Sequence, residues 1–296
     1  MTTPTTESVD PRYADLDRMS TLEMAKAMND AEKEVPRAVE KALPQIVAAV
    51  DAIASGMKKG GRLFYVGAGT AGRMGVLDAS ECPPTFSSDP SQVVGMIAGG
   101  DGALRKAVEG AEDDFEEGAR TVQAFNLTNN DTVVGIAASG RTPFTLGAVE
   151  AGNAAGATTV GISCNAGSAL AEAAQHPIEV VVGPEVITGS TRLKAGSAQK
   201  QVLNMLSTLT MVKLGKTYGN LMVDLQATNE KLEERSRRLV TRITGVDDRV
   251  AQDALELADG SVKKAVVMID KQLDAAAAEE LLNEKGGFLR AALETS

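Results

Sequence analysis

The chain has 296 residues, of which 43% are hydrophobic and 24% are charged, so it can form one large globular domain or a main domain with a small appendage. Its formal net charge of −10 argues against nucleic acid and anionic membranes as partners, because both would be repelled at long range. An anionic ligand must therefore be held by local geometry, for which the 29 glycines are suited, since backbone N–H groups approach a phosphate best where Cβ atoms are absent.

Short apolar runs alternate with stretches of helical composition along most of the chain. A helical region over 21–57 comes first, and helices are also predicted at 103–125 and 144–155. The predicted strands are 62–66, 93–98, 132–137, 158–163 and 178–182. Near-continuous apolar strands separated by helices indicate an α/β fold with a parallel sheet covered on both faces. Ligands bind such sheets where strands end and helices begin.

The C-terminal third has a different composition. A long helix is predicted over 193–218, followed by a strongly charged segment and by three amphipathic segments between 244 and 293. The expected division is an N-terminal helical segment, an α/β domain, a linker helix and a small helical domain, at 1–56, 57–220, 221–243 and 244–296.

Features outside these elements predict a protein of the reducing cytoplasm. Cys82 and Cys164 are far apart and lack the spacing of a disulfide scaffold or a zinc site, so no metal is expected. No apolar run approaches the roughly 20 residues that cross a bilayer. The first ten residues lack the layout of a signal peptide.

Two glycine turns are candidates for anion binding. The first, 67–72, has GxGxxG spacing but lacks the acidic residue that a dinucleotide site requires about 20 positions later, which argues against a nicotinamide cofactor. The second contains Ser139, Gly140 and Thr142 directly before a helix, where unpaired N–H groups favour a phosphate monoester. Ser139 and Thr142 are equally suited to cap that helix, so both interpretations stay open.

Candidate catalytic and binding side chains lie outside these turns as well. Glu81 precedes two prolines among apolar or rigid neighbours, a setting in which a carboxyl can serve as a general acid. Glu112 belongs to an acidic run that, by itself, is typical of a solvated surface. Ser190 and Lys194, near the start of the long helix, could bind an anion or form a capped, solvated helix start.

Taken together, these segments resemble the N-acetylmuramic acid 6-phosphate etherase family over nearly the whole chain. The resemblance is carried by long strings in the family's order, among them 75–86, 109–113, 135–143, 187–196 and 220–224. It implies a sugar isomerase (SIS) fold, with a five-stranded parallel sheet flanked by helices, and a small C-terminal domain similar to ubiquitin-associated (UBA) domains. It also implies a homodimer with sites near the subunit interface.

The resemblance further implies an activity. The family converts N-acetylmuramic acid 6-phosphate and water into N-acetylglucosamine 6-phosphate and D-lactate, with no metal or organic cofactor. A sugar-phosphate isomerase and a non-catalytic sugar-phosphate sensor remain as alternatives. The string Glu81-Cys-Pro-Pro84 favours the etherase over an isomerase, and a sensor would not need both Glu81 and Glu112.

Site residues follow from the same resemblance. Glu81 matches the family's acid/base, and Glu112 matches its second catalytic glutamate. The predicted substrate- and phosphate-binding set combines both glycine turns with the start of the long helix: Gly69, Thr70, Ser139, Gly140, Thr142, Ser190 and Lys194. Relatives usually carry Ser where this chain has Ala71, which removes one candidate phosphate ligand from the first turn.

Overall fold

A computed structural model describes residues 4–225 and 230–295. The chain forms two compact units, one comprising Met1–Ser80 with Ser91–Ser207 and the other Glu81–Pro90 with Thr208–Ser296. None of the helices in the described ranges combines the length and apolarity that a bilayer crossing demands.

The first unit is built on a five-stranded parallel sheet. Its strands, in the order β2-β1-β3-β4-β5, are β1 (Leu63–Gly67), β2 (Val93–Ile97), β3 (Thr132–Ile136), β4 (Thr158–Ser163) and β5 (His176–Glu179). The central strands β1 and β3 are buried along their full length, as the apolar runs predicted. The expected α/β fold is confirmed. The last strand begins two residues earlier than predicted, at His176, and its proline is tolerated because β5 lies at the sheet edge.

The helices that begin outside the C-terminal region are α1 (Thr21–Glu32), α2 (Glu34–Lys41), α3 (Leu43–Met57), α4 (Gly69–Phe86), α5 (Phe115–Gln123), α6 (Pro143–Ala154), α7 (Ala169–Ala173) and α8 (Lys194–Lys213). The predicted helix over 103–125 is correct only for α5. Two short 3-10 turns, Asp101–Leu104 and Ala111–Asp113, come first, and Gly110 between them has a left-handed φ of 75° that an α-helix does not accommodate.

The C-terminal helices are α9 (Glu230–Thr244), α10 (Asp248–Leu257), α11 (Val262–Lys271), α12 (Ala275–Glu284) and α13 (Leu289–Leu293). Four of them follow residue 244, whereas three were predicted, because Gln272 adopts a left-handed φ of 55° and ends α11. Residues 226–229, within the predicted linker helix, and residues 1–3 and 296 lie outside the described residues. The division at residue 244 and the likeness to UBA domains stay predictions.

Candidate active site

Two strand-to-helix turns meet at one edge of the sheet. β1 ends at Gly67 and α4 begins at Gly69, while β3 ends at Ile136 and α6 begins at Pro143. Gly67 is the register partner of Ile136, so the two turns are neighbours. Both helices therefore begin beside the same space, where their unpaired N–H groups and partial positive charge favour an anion.

A cavity of about 280 Å³ opens between these turns. Its described lining residues come from the N-terminal segment, both turns, the loop before α5, and α8 with the loop before it: Glu7, Ala68, Gly69, Thr70, Ala71, Glu112, Ile136, Ala137, Ala138, Ser139, Thr142, Thr191 and Gln199. The lining includes two carboxylates, several hydroxyls and one amide, but none of these residues is Lys, Arg or His. An anion in this cavity would depend on hydroxyls, backbone N–H groups and helix N-termini.

The cavity brings together five of the predicted site residues: Gly69, Thr70, Glu112, Ser139 and Thr142. Neither hydroxyl of the second turn makes a side-chain capping bond to the first turn of α6, since Thr142 is the N-cap residue without such a bond. The Ser139 hydroxyl instead accepts a hydrogen bond from the Arg141 N–H at 3.2 Å. This arrangement favours the anion-binding interpretation over simple helix capping.

Gly140 shapes the second turn without lining the cavity. Its φ is +65°, and a Cβ added there would collide with the side chain of Ser168 and lie 3.0 Å from the Cβ of Ser163. Both the backbone conformation and the available space therefore require glycine at this position.

The Gly140→Ala variant is expected to lose roughly 2–4 kcal/mol of unfolding free energy, because left-handed strain and overpacking add. Gly156→Ala is the matched control. Gly156 also has a left-handed φ, of +74°, but a Cβ there would meet nothing within 4 Å, so roughly 1–2 kcal/mol should be lost. Urea denaturation measures both values. Equal losses in the two variants would show that the contact with Ser168 is not a constraint on the turn.

Glu112 lies in the 3-10 turn Ala111–Asp113 and is exposed. The preceding loop is held against the first turns of α4 by Arg73, whose guanidinium donates to the carbonyls of Ala103 at 2.7 Å and Leu104 at 3.0 Å. Arg73 lines a second cavity of about 230 Å³, and Glu112 lines both this cavity and the first. Glu112 is thus placed where it can reach a ligand held by the glycine turns.

Glu81 lies on α4 and is exposed. The two prolines that follow Glu81 lie inside the helix, because α4 continues through Pro83 and Pro84 to Phe86. Its neighbour Cys82 is buried, so this turn of the helix presents Glu81 outward while an adjacent side chain packs inward.

Lys194 is not placed as a substrate ligand, which corrects the prediction from sequence. Its side chain is 1% exposed, and Nζ donates to the Val182 carbonyl at 2.7 Å and to Glu34 Oε2 at 3.0 Å. Burial alone would raise the pKa of Glu34, but hydrogen bonds from Lys194 and Arg12 outweigh it and hold that pKa below its usual value. The ammonium group is thus occupied within the protein.

The N-terminus of α8 is likewise already occupied. The buried carboxylate of Glu185 accepts hydrogen bonds from the backbone N–H groups of Lys194 and Ala195, each at 2.9 Å. Burial raises the pKa of Glu185, while these two bonds oppose the shift. Because a protein carboxylate fills this helix end, it is unavailable to a phosphate. Ser190 is not among the lining residues, but its neighbour Thr191 is.

The N-terminal segment contributes to the cavity, which the sequence did not predict. Thr6 is fully buried, its N–H donates to Asn165 Oδ1 at 3.2 Å, and its hydroxyl accepts from Asn165 Nδ2 at 3.0 Å. Asn165 Nδ2 also donates to the Ala138 carbonyl of the second glycine turn at 3.0 Å. These bonds position Glu7 at the cavity. Since Thr6 and Asn165 are 159 positions apart, no local pattern could have indicated the contact.

No group of three or more His, Cys, Asp and Glu side chains within residues 4–225 and 230–295 is arranged to hold a metal ion. Glu7 and Glu112 are the two carboxylates in the described lining of the cavity.

Family models match two overlapping parts of the chain. The model described as the glucokinase regulatory protein N-terminal SIS domain matches residues 45–153, and the SIS domain model matches residues 114–209. Among solved structures, a phosphoheptose isomerase from Francisella tularensis has a TM-score of 0.52 at 20% identity, covering 66% of this chain and all of that one. At that identity the likeness establishes the shared SIS fold alone.

Curated relatives match over nearly the full length. An N-acetylmuramic acid 6-phosphate etherase from Streptomyces avermitilis is 60% identical over 98% of this chain and 94% of its own. The etherase of the same name from an Escherichia coli strain is 54% identical over 98% of this chain and 97% of its own. The chain belongs to the N-acetylmuramic acid 6-phosphate etherase family.

Proposed function

We propose that this protein is a carbon–oxygen lyase that cleaves the D-lactyl ether of N-acetylmuramic acid 6-phosphate, giving N-acetylglucosamine 6-phosphate and D-lactate. The observation that carries the proposal is the cavity in which Glu112 lies with Thr70, Ser139 and Thr142 between two helix N-termini. A phosphate anchor and a carboxylate in one cavity are what a reaction on the carbons of a sugar phosphate needs. The curated relatives carry the same activity in their names.

The chemistry explains why carboxylates suffice. The ether oxygen on C3 is a poor leaving group, but in the open-chain sugar it lies β to the C1 aldehyde. Removal of the C2 proton produces an enolate-like intermediate, whose electron pair expels the lactate oxygen from C3 to give a 2,3-unsaturated sugar. Water then adds at C3, and a proton returns to C2, so that the atoms of one water molecule appear in the products.

Two glutamates divide these proton transfers. Glu112 is the base that removes the C2 proton and later returns it. Glu81 protonates the departing lactate oxygen and then deprotonates the water that attacks C3. Each positioned proton transfer contributes on the order of 10²–10⁴-fold to the rate.

Phosphate binding holds the sugar against these groups. The hydroxyls of Thr70, Ser139 and Thr142 donate to phosphate oxygens, and the backbone at Gly69 allows the close approach, while Gly140 keeps the second turn in its shape. Fixing one end of a flexible open-chain sugar removes much of the entropy cost of aligning C2 and C3. Ala71 lines the same cavity at the position where relatives usually carry Ser, so the first turn offers one hydroxyl fewer. The second turn therefore carries more of the phosphate binding.

The direct test is incubation of the purified protein with N-acetylmuramic acid 6-phosphate. Equimolar D-lactate and N-acetylglucosamine 6-phosphate are the expected products. An enzymatic lactate assay measures the first, and mass spectrometry identifies the second. An isomeric sugar phosphate with the lactyl group retained, such as the C2 epimer, would indicate an isomerase. Binding of the sugar phosphate without any product would indicate a sensor, and either result would contradict the proposal.

We further propose that the protein acts in the cytoplasm as a homodimer, in the catabolism of amino sugars released during peptidoglycan recycling or taken up from outside. Cys82 and Cys164 are buried and form no disulfide within the described residues, which is compatible with a reducing compartment. We also propose that 57–220 is the SIS domain, that 221–243 is a linker, and that 244–296 is a separate UBA-like domain. No cofactor is required by the reaction as written.

A further inference from the structure

Gln199 is a cavity residue that neither the glycine turns nor the catalytic glutamates account for. It lies on α8 and is only 1% exposed, yet it lines the same cavity as Thr70, Ser139 and Thr142. Its amide nitrogen, Nε2, is buried and has no hydrogen-bond partner among the described residues. A buried donor without a partner destabilises the protein, so such a donor is unusual unless a ligand supplies the acceptor.

The packing of α8 brings this amide to the first glycine turn. Gly196 and Gln199 are three positions apart and therefore share one face of the helix. A Cβ added at Gly196 would lie 3.3 Å from Thr70 Cγ2, so that face rests directly on the turn. The absence of a side chain at Gly196 allows the close approach, which carries Gln199 to the cavity.

The charges of the cavity identify the kind of acceptor. Its described lining contains the carboxylates of Glu7 and Glu112 and no cationic side chain. Lys194 of the same helix is held by Glu34 and the Val182 carbonyl. A sugar hydroxyl could donate to either carboxylate, but a phosphate dianion accepts only, so it needs every neutral donor that the cavity offers.

We propose that Gln199 is a substrate-binding residue whose side-chain amide donates to an oxygen of the bound phosphate, adding a third source of donors to the two glycine turns. This assignment rests on the proposed function for the identity of the sugar. The contact between Gln199 and the phosphate is inferred from the cavity alone. In the free protein Nε2 has no hydrogen-bond partner among the described residues, and the bound anion supplies one.

The test compares Gln199→Met with the parent protein by calorimetric titration with two probes, inorganic phosphate and N-acetylglucosamine 6-phosphate. Methionine keeps the length of the side chain and removes its polar atoms. Loss of one hydrogen bond to a charged group should weaken both probes by about 10- to 100-fold. The melting temperature of the ligand-free variant should be equal to or higher than that of the parent, because an unpaired buried donor has been removed.

Gln201→Met is the matched control, since Gln201 is on the same helix and is not among the residues that line the cavity. It should leave both affinities unchanged. Gln199→Glu is the second variant, because a carboxylate of the same shape should repel the phosphate and weaken both probes at least as much as methionine does.

Several outcomes would overturn the assignment. Unchanged affinity for inorganic phosphate in both Gln199 variants would exclude a phosphate contact, whatever happens to the sugar phosphate. A ligand-free Gln199→Met protein that melts lower than the parent or fails to fold would show that the amide has an internal structural role. If the parent protein releases no lactate but these binding results hold, the proposed activity fails while the role of Gln199 stands.

Discussion

The Glu81→Gln variant is expected to release D-lactate roughly 10²- to 10⁴-fold more slowly than the parent protein, with little change in the affinity for N-acetylglucosamine 6-phosphate. Glutamine keeps the shape of the side chain but can neither protonate the leaving oxygen nor deprotonate water. The C2 proton should still exchange with solvent, because that step belongs to Glu112. Proton NMR in D₂O measures the exchange, and a lactate assay measures the elimination.

Glu280→Gln is the control for this variant, since Glu280 is an exposed glutamate of the same compact unit. It should retain full activity. Near-normal lactate release by Glu81→Gln would exclude Glu81 from the mechanism. Loss of both C2 exchange and lactate release would instead assign Glu81 the role of the base at C2.

The Glu112→Gln variant is expected to lose both reactions, because no later step can occur until the C2 proton is removed. Lactate release and exchange at C2 should fall together by roughly 10²- to 10⁴-fold. Asp113→Asn, which neutralises the next exposed carboxylate in the same 3-10 turn, should have a small effect. C2 exchange at the parent rate in Glu112→Gln would exclude Glu112 as the base.

The fold was predictable because its signals are local. Buried parallel strands appear as continuous apolar runs, and each run is followed by a turn and a helix, so strands β1 to β4 were placed within one residue at either end. The second glycine turn was equally predictable, since Ser139, Gly140 and Thr142 lie directly before α6. The extra break at Gln272 was missed because glutamine seldom adopts the left-handed conformation that ends α11.

The errors in the site arise from contacts between distant parts of the chain. Lys194 has the appearance of an anion ligand at a helix start, but Glu34, 160 positions away, holds its ammonium group. The helix end itself is filled by Glu185, whose sequence context gives no sign of burial. In the same way, Glu7 reaches the cavity only because Thr6 is bound to Asn165. Local pattern identifies a residue's chemistry, but tertiary packing decides whether that chemistry is free to act.

The most direct measurement of the proposed reaction is turnover of N-acetylmuramic acid 6-phosphate in H₂¹⁸O, with the position of the label read from ¹³C isotope shifts. Elimination and addition of water at C3 require one ¹⁸O at C3 of N-acetylglucosamine 6-phosphate and none in D-lactate. Unlabelled oxygen at C3 together with ¹⁸O in the lactate hydroxyl would show cleavage on the lactyl side, and the mechanism assigned to Glu81 and Glu112 would be wrong.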